Sequence, residues 1–120
     1  MMYSEPELWA QLMSKLEDMV VAYFQAQLKN GAKAIQLFDS WVGALAPEDF
    51  QKFVLPTIER IFARLSDYDQ PKIYYPGVSS GELLPTLGGV QADVIGIDWR
   101  ITLTEGRKRL DRPVAVQGNL

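Results

Sequence analysis

The sequence predicts an α/β fold in which a parallel sheet has its strands joined by helices, wound either as an open sheet or as part of a barrel. Three observations lead there. Four short apolar runs are each bounded by turn residues, a helical pattern precedes each run, and the G-x-G-x-x-G fingerprint of an open dinucleotide-binding sheet is missing. The last of these favours barrel winding, in which strand C-termini carry the site.

The first element is a helix. Ser4 with Glu7 reads as a capping box, Pro6 suits the first turn, and Leu8, Leu12, Leu16, Val20, Phe24 and Leu28 recur every four residues up to Asn30-Gly31. Trp9, Met13, Met19 and Tyr23 widen its apolar stripe, as core packing requires. Ala34 to Phe38 is a strand buried on both faces. A helix beginning near Pro47 carries Phe50, Phe53, Val54, Ile58, Ile61, Phe62 and Leu65, and Pro56 within it predicts a kink or a change of helix near Leu55.

After the loop Asp67 to Pro71 comes a second strand, Lys72-Ile73-Tyr74-Tyr75, stopped by Pro76-Gly77. A short helix through Leu83, Leu84 and Leu87 closes at Gly88-Gly89. Asp93 to Ile97 is the third strand. A helix from about Thr104 to Leu110 follows, with Glu105 early and Arg107, Lys108 and Arg109 late, as the helix dipole favours. Val114 to Gln117 is the fourth strand.

Composition narrows the chemistry. The 120 residues are 48% hydrophobic and 22% charged, the range of a single globular domain. Cysteine and histidine are both absent, which removes disulfides, zinc knuckles, thiol nucleophiles and histidine-containing triads. A formal charge of −3 without long single-sign blocks gives nucleic acid no electrostatic help. No stretch approaches eighteen uninterrupted apolar residues, and the start has no basic segment followed by an apolar run, so no membrane partner and a cytoplasmic location are expected.

In a parallel fold the strand ends Asp39-Ser40-Trp41, Tyr75-Pro76-Gly77, Asp98-Trp99-Arg100 and Gln117-Gly118-Asn119 meet at one edge of the sheet. Alternation puts Gln36, Phe38 and Ser40 on one side and Leu37 and Asp39 on the other. Phe38 and Ser40 then offer one ligand an apolar wall and a hydroxyl, or else Phe38 fills the interior and Ser40 caps a loop. Asp39 and Asp98 suit acid-base work if burial raises their pKa, and otherwise bind local backbone N–H groups. Trp41 and Trp99 either stack on a flat ligand or, as is more usual, pack under loops. Arg100 fits a ligand carboxylate or an ion pair with Asp98 or Glu105. Arg107, Lys108, Arg109 and Arg112 read as a solvated face.

Three segments in register, Gly31 to Gly43, Val94 to Arg100 and Val116 to Leu120, resemble successive motifs of the uroporphyrinogen decarboxylase family, and the resemblance covers essentially the whole chain from Met1. It implies a TIM-type (β/α)8 barrel and a cofactor-free enzyme of haem biosynthesis. Such an enzyme removes carbon dioxide from the four acetate side chains of uroporphyrinogen III to give coproporphyrinogen III. It further implies that Ser40 matches a substrate-contacting serine and Phe38 an aromatic position bordering the macrocycle. Asp39, Asp98, Trp99, Gln117 and Asn119 fall in positioning loops.

The family's pyrrole-binding aspartate, its arginines and an active-site tyrosine lie upstream of this stretch and a histidine lies downstream, so no catalytic residue is expected here. A related branch, the cobalamin-dependent methyltransferases, has a His-x-Cys-Gly zinc pattern where this chain has Tyr74-Tyr75-Pro76-Gly77, so no metal is expected.

A complete barrel of this type has eight strands and about 250 residues. Residues 1–120 are therefore expected to be the central portion of one barrel domain, truncated at both ends. Alone, the chain is expected to be incomplete as an enzyme. A reading of a different class is a non-catalytic relic or self-assembling half-barrel, whose two open edges pair with a second copy, and a homodimer is the corresponding partner to test.

Overall fold

The computed structural model describes residues 1–119; Leu120, the last residue of the third motif, lies outside the described residues. The chain runs α1 (Pro6–Lys29), β1 (Ile35–Phe38), α2 (Pro47–Phe53), α3 (Leu55–Ala63), β2 (Lys72–Tyr75), β3 (Val94–Gly96), α4 (Leu103–Arg109) and β4 (Ala115–Gln117). Two 3-10 segments, Val42–Ala44 and Leu84–Gly89, lie in the connections.

The four strands form one sheet, all parallel, in the order β1-β2-β3-β4. This order has no reversal, which distinguishes barrel winding from a doubly wound sheet. Both apolar clusters lie on the face bearing Ile35, Leu37, Tyr74 and Ile95. One packs these strands against α2, α3 and Leu83–Val90, the other against α1 and Leu65. Helices therefore cover one face, the outer face of a partial barrel.

Several sequence expectations are met with a physical reason in view. The predicted change of helix occurs at Val54 (φ −124°, ψ −51°), which separates α2 from α3 and leaves Pro56 in the first turn of α3, where its missing N–H costs nothing. Asn30 and Gly31 (φ +95°) end α1. The helix expected from about Thr104 is α4, Leu103–Arg109, and the structure adds its cap, Thr102, which accepts the Glu105 N–H at 3.1 Å.

Other expectations are corrected. Ser4 does not cap α1; the N-cap is Glu5, without a side-chain bond, and the chain entry is held by Tyr3, which packs edge-on against Phe53 and donates to Asp49. Leu8, Leu12 and Leu16 are exposed, because the buried side of α1 runs through Trp9, Met13 and Glu17 and then Val21, Phe24 and Leu28. The segment around Leu84 and Leu87 is 3-10 helix, not α-helix. The first strand is not buried on both faces: Ile35 is buried while Phe38 is 65% exposed. Within the basic run, Arg109 pairs with Glu105 and Glu82, and Arg112 donates to the Val90 and Ala92 carbonyls, so only Arg107 and Lys108 form a solvated face.

Candidate functional site

Parallel register assembles the face opposite the helices. Phe38 pairs with Tyr75, Tyr75 falls level with Gly96, and Gly96 pairs with Gln117, so one residue from each strand makes a continuous row. Gln36, Ile73, Val94 and Ala115 form the row beneath it. Phe38 meets Tyr75 edge-on, with ring centroids 6.1 Å apart and planes at 76°. The Tyr75 ring lies over Gly96, where a Cβ would stand 2.6 Å from Tyr75 Cδ2. Gly96 is thus the residue that lets the ring lie flat across the sheet.

The face is concave. Adjacent strands sit about 4.8 Å apart, so β1 and β4 would be about 14 Å apart in a flat sheet, beyond the reach of two upright glutamines. Yet Gln117 Nε2 donates to Gln36 Oε1 at 3.0 Å. The sheet has curled, and it encloses a cavity of about 300 Å³ lined by Gln36, Phe38, Tyr75, Gly96, Ile97 and Gln117.

Above this cavity the strand ends are joined into a rim. Gly77 (φ +76°) brings the β2 loop against the β1 loop so closely that a Cβ there would stand 2.5 Å from the carbonyl oxygens of Asp39 and Ser40. The Asp98 carboxylate, at the end of β3, accepts the Ser79 N–H at 2.9 Å and an Arg100 N–H at 2.8 Å. Asn119 Nδ2 in turn donates to the Asp98 carbonyl at 3.0 Å and to that of Ile101. All four strand ends are tied in order around the mouth.

Each sequence-predicted residue has a place in this arrangement. Phe38 stands exposed on the concave face, and Ser40 is exposed two residues beyond it on the rim. Asp39 turns the other way, towards the helices, and accepts the Tyr74 hydroxyl at 3.3 Å. Burial raises the Asp39 pKa, against the opposing hydrogen bond from Tyr74; burial and the neighbouring carboxylate push the Tyr74 phenol well above its usual value. Asp98, Arg100 and Asn119 hold the loops rather than face the cavity. Trp41 and Trp99 are not packed under loops: they are 81% and 66% exposed, and Trp99 lies 4.6 Å beneath the Arg100 guanidinium. No three His, Cys, Asp or Glu side chains converge as a metal cage among the described residues.

Sequence reasoning placed Tyr75 and Gln117 at strand ends and Gln36 on the side of Phe38, but did not give Tyr75 a place beside Phe38, did not put Gly96 beneath its ring, and did not find the bridge between Gln36 and Gln117. Alternation within β2 places Tyr75 on one face, but only the register of neighbouring strands shows that it shares that face with Phe38.

A larger apolar groove of about 410 Å³ runs along the outer edge of β1, between Trp9, Met13 and Leu16 of α1, Ile58 and Ile61 of α3, and Trp41. It lies on the helix side of Phe38, away from the concave face.

The profile of the family described as Uroporphyrinogen decarboxylase (URO-D) matches residues 1–120. Uroporphyrinogen decarboxylase of Nocardia farcinica is 48% identical over 120 residues, which is all of this chain and 34% of that relative. The proteins of the same name from Streptomyces coelicolor and Thermobifida fusca are 47% and 46% identical over the same length, covering 34% and 33% of those relatives. The chain therefore spans about a third of the length of the curated relatives it matches. With its parallel half-barrel and its motifs matched from end to end, the chain belongs to the uroporphyrinogen decarboxylase family.

Proposed function

We infer that these 120 residues supply the central portion of a uroporphyrinogen decarboxylase barrel, whose reaction removes carbon dioxide from the four acetate side chains of uroporphyrinogen III to give coproporphyrinogen III. The observation that carries this reading is the 48% identity maintained over every residue of the chain. The concave face supports it physically: a carboxylate-rimmed macrocycle puckered by its saturated methylene bridges needs an apolar wall with polar groups at its margin, and Phe38 with Tyr75 makes such a wall below Ser40.

In this reading Phe38 borders the macrocycle and Ser40 donates or accepts a hydrogen bond at its edge. Asp98 and Asn119 act through the loops they fix. Protonation of a pyrrole ring creates the electron sink: the C–C bond to the departing carboxylate breaks and its electron pair enters the ring. The methylene carbon is then protonated to a methyl group, and the ring gives back the proton it first took up, so that one proton is consumed for each carbon dioxide released. The sink is the substrate itself, so the step calls for electrostatic stabilisation of ring charge rather than a cofactor. The groups that perform the proton transfers are assigned to parts of the barrel beyond this segment. A cytoplasmic location and a homodimeric state belong to the same proposal.

The test is a graft. Replacing the matching segment of the Nocardia farcinica relative with these 120 residues is expected to preserve conversion of uroporphyrinogen to coproporphyrinogen. Ser40→Ala in the graft is expected to raise KM roughly threefold to tenfold, the loss of one hydrogen bond. A graft that folds but is inactive overturns the assignment.

One observation favours a second reading, self-assembly. Among the described residues, β1 and β4 each have one neighbour in the sheet, so two parallel edges are open. Sedimentation of the 120-residue chain decides this: a well-folded monomer removes it, and a dimer whose β4 edge is sensitive to proline substitution supports it.

A further inference from the structure

We propose that the Gln36–Gln117 amide bridge is a recognition element for a ligand carboxylate on the floor of the concave cavity, a role that rests on the tetrapyrrole reading above. The bridge joins residues 81 apart in sequence, from the first and fourth strands, at 3.0 Å. Its neighbours in the cavity are the rings of Phe38 and Tyr75 and the backbone of Gly96 and Ile97, whose side chain turns to Gly106 of α4. In such a pocket the few polar groups present determine how a ligand is oriented.

The bond between the two amides does not exhaust them. Whichever glutamine donates, one NH2 group and one carbonyl oxygen remain to face the cavity. An amide NH2 takes an anionic oxygen without the desolvation cost of a buried cation. The bridge also fixes both side chains before a ligand arrives, so their ordering entropy is not lost on binding. Uroporphyrinogen carries carboxylates around its whole rim, and the bridge lies across the curl of the sheet, where one of them meets the free NH2 group. Both partners stand on strands, with Gln36 in the row beneath Phe38 and Gln117 in the same row as Tyr75, so the element is held by the sheet and not by a loop.

The experiment is a fluorescence titration of the 120-residue chain with uroporphyrin III, the stable oxidised form of the macrocycle. Parent, Gln36→Leu, Gln36→Glu and Gln36→Lys are compared, each with a circular dichroism spectrum and thermal midpoint. Gln36→Leu is expected to weaken binding about tenfold, one hydrogen bond to a charged group. Gln36→Glu should weaken it further by placing like charges together, and Gln36→Lys should bind at least as tightly as the parent. A tie that only shapes the sheet is broken by Gln36→Leu but kept by Gln36→Glu, whose carboxylate accepts the Gln117 N–H in place of the amide oxygen. A Glu variant that binds as tightly as the parent, or equal losses in all three, overturns the proposal, as does a parent chain that does not bind uroporphyrin. If a Gln36 variant unfolds, the same three substitutions at Gln117 supply the comparison. An active graft with equal losses leaves the decarboxylase reading standing without this element. An inactive graft with the Lys, Leu, Glu order retained removes that reading and keeps the carboxylate site.

Discussion

Removing the Asp98 carboxylate tests whether the rim is held from one buried residue. The side chain is 2% exposed and accepts two hydrogen bonds, from the Ser79 N–H at 2.9 Å and from Arg100 at 2.8 Å. A hydrogen bond to a charged group contributes about 1.5–3 kcal/mol. The Arg100 guanidinium is 40% exposed and regains water when its partner is lost, so its share falls to about 1 kcal/mol or less. Asp98→Ala is therefore expected to cost about 3 kcal/mol, most of it from the Ser79 N–H left without its acceptor. Asp98→Asn keeps an acceptor of the same shape and should cost about 1–2 kcal/mol. Urea denaturation followed by circular dichroism measures both, and an amide shift at Ser79 reports the loop directly. If Asp98→Ala lies within about 0.5 kcal/mol of the parent, or if Asn is as damaging as Ala, the buried acceptor is not what joins the β2 and β3 ends.

Three further outcomes follow from the geometry. Gly77→Ala combines a positive φ with two backbone oxygens 2.5 Å from the new Cβ and is expected to cost about 3 kcal/mol or more, whereas Gly31→Ala, at positive φ with nothing within 4 Å, should cost only about 1–2 kcal/mol; equal midpoints for the two overturn this. Gly96→Ala pushes the Tyr75 ring from its place across the sheet at a cost of about 1–3 kcal/mol, and uroporphyrin binding that is unchanged in a folded variant contradicts the wall assigned to Tyr75. Burial raises the Asp39 pKa despite the Tyr74 bond, so the folded state holds this proton to higher pH than the unfolded state. Its contribution to stability is complete below the ordinary carboxylate value and is lost as pH rises through the raised value; Asp39→Asn should therefore raise the thermal midpoint at pH 7, with the gain shrinking as pH falls, and a pH-independent difference refutes the cause.

Much of the fold was legible because it depends on local patterns. Pro56 cannot donate within a helix, so the division at Val54 could be read from one residue. The runs Ile35–Phe38 and Lys72–Tyr75 are short, apolar and bounded by turn formers, and both are strands at those places. Ser4 misled because a capping sequence competes with tertiary contacts, and Tyr3 is drawn instead to Phe53 and Asp49. Trp41 and Trp99 misled because large apolar side chains are usually buried, and the rim leaves both exposed.

The site was legible only in part. Phe38 and Ser40 were found through motif and alternation, and the strand ends do converge. Tyr75, Gly96 and the glutamine bridge needed the register of four strands, which no single strand encodes. By itself, the amino-acid order determined the helices and strands, their parallel alternation and the family, because capping, periodicity and turn chemistry act over a few residues. Only the tertiary structure decided which side chains share the concave face and that Gln36 and Gln117 meet across it. Those outcomes depend on how four separate strands slide and curl against one another, and that is settled by packing across the whole sheet.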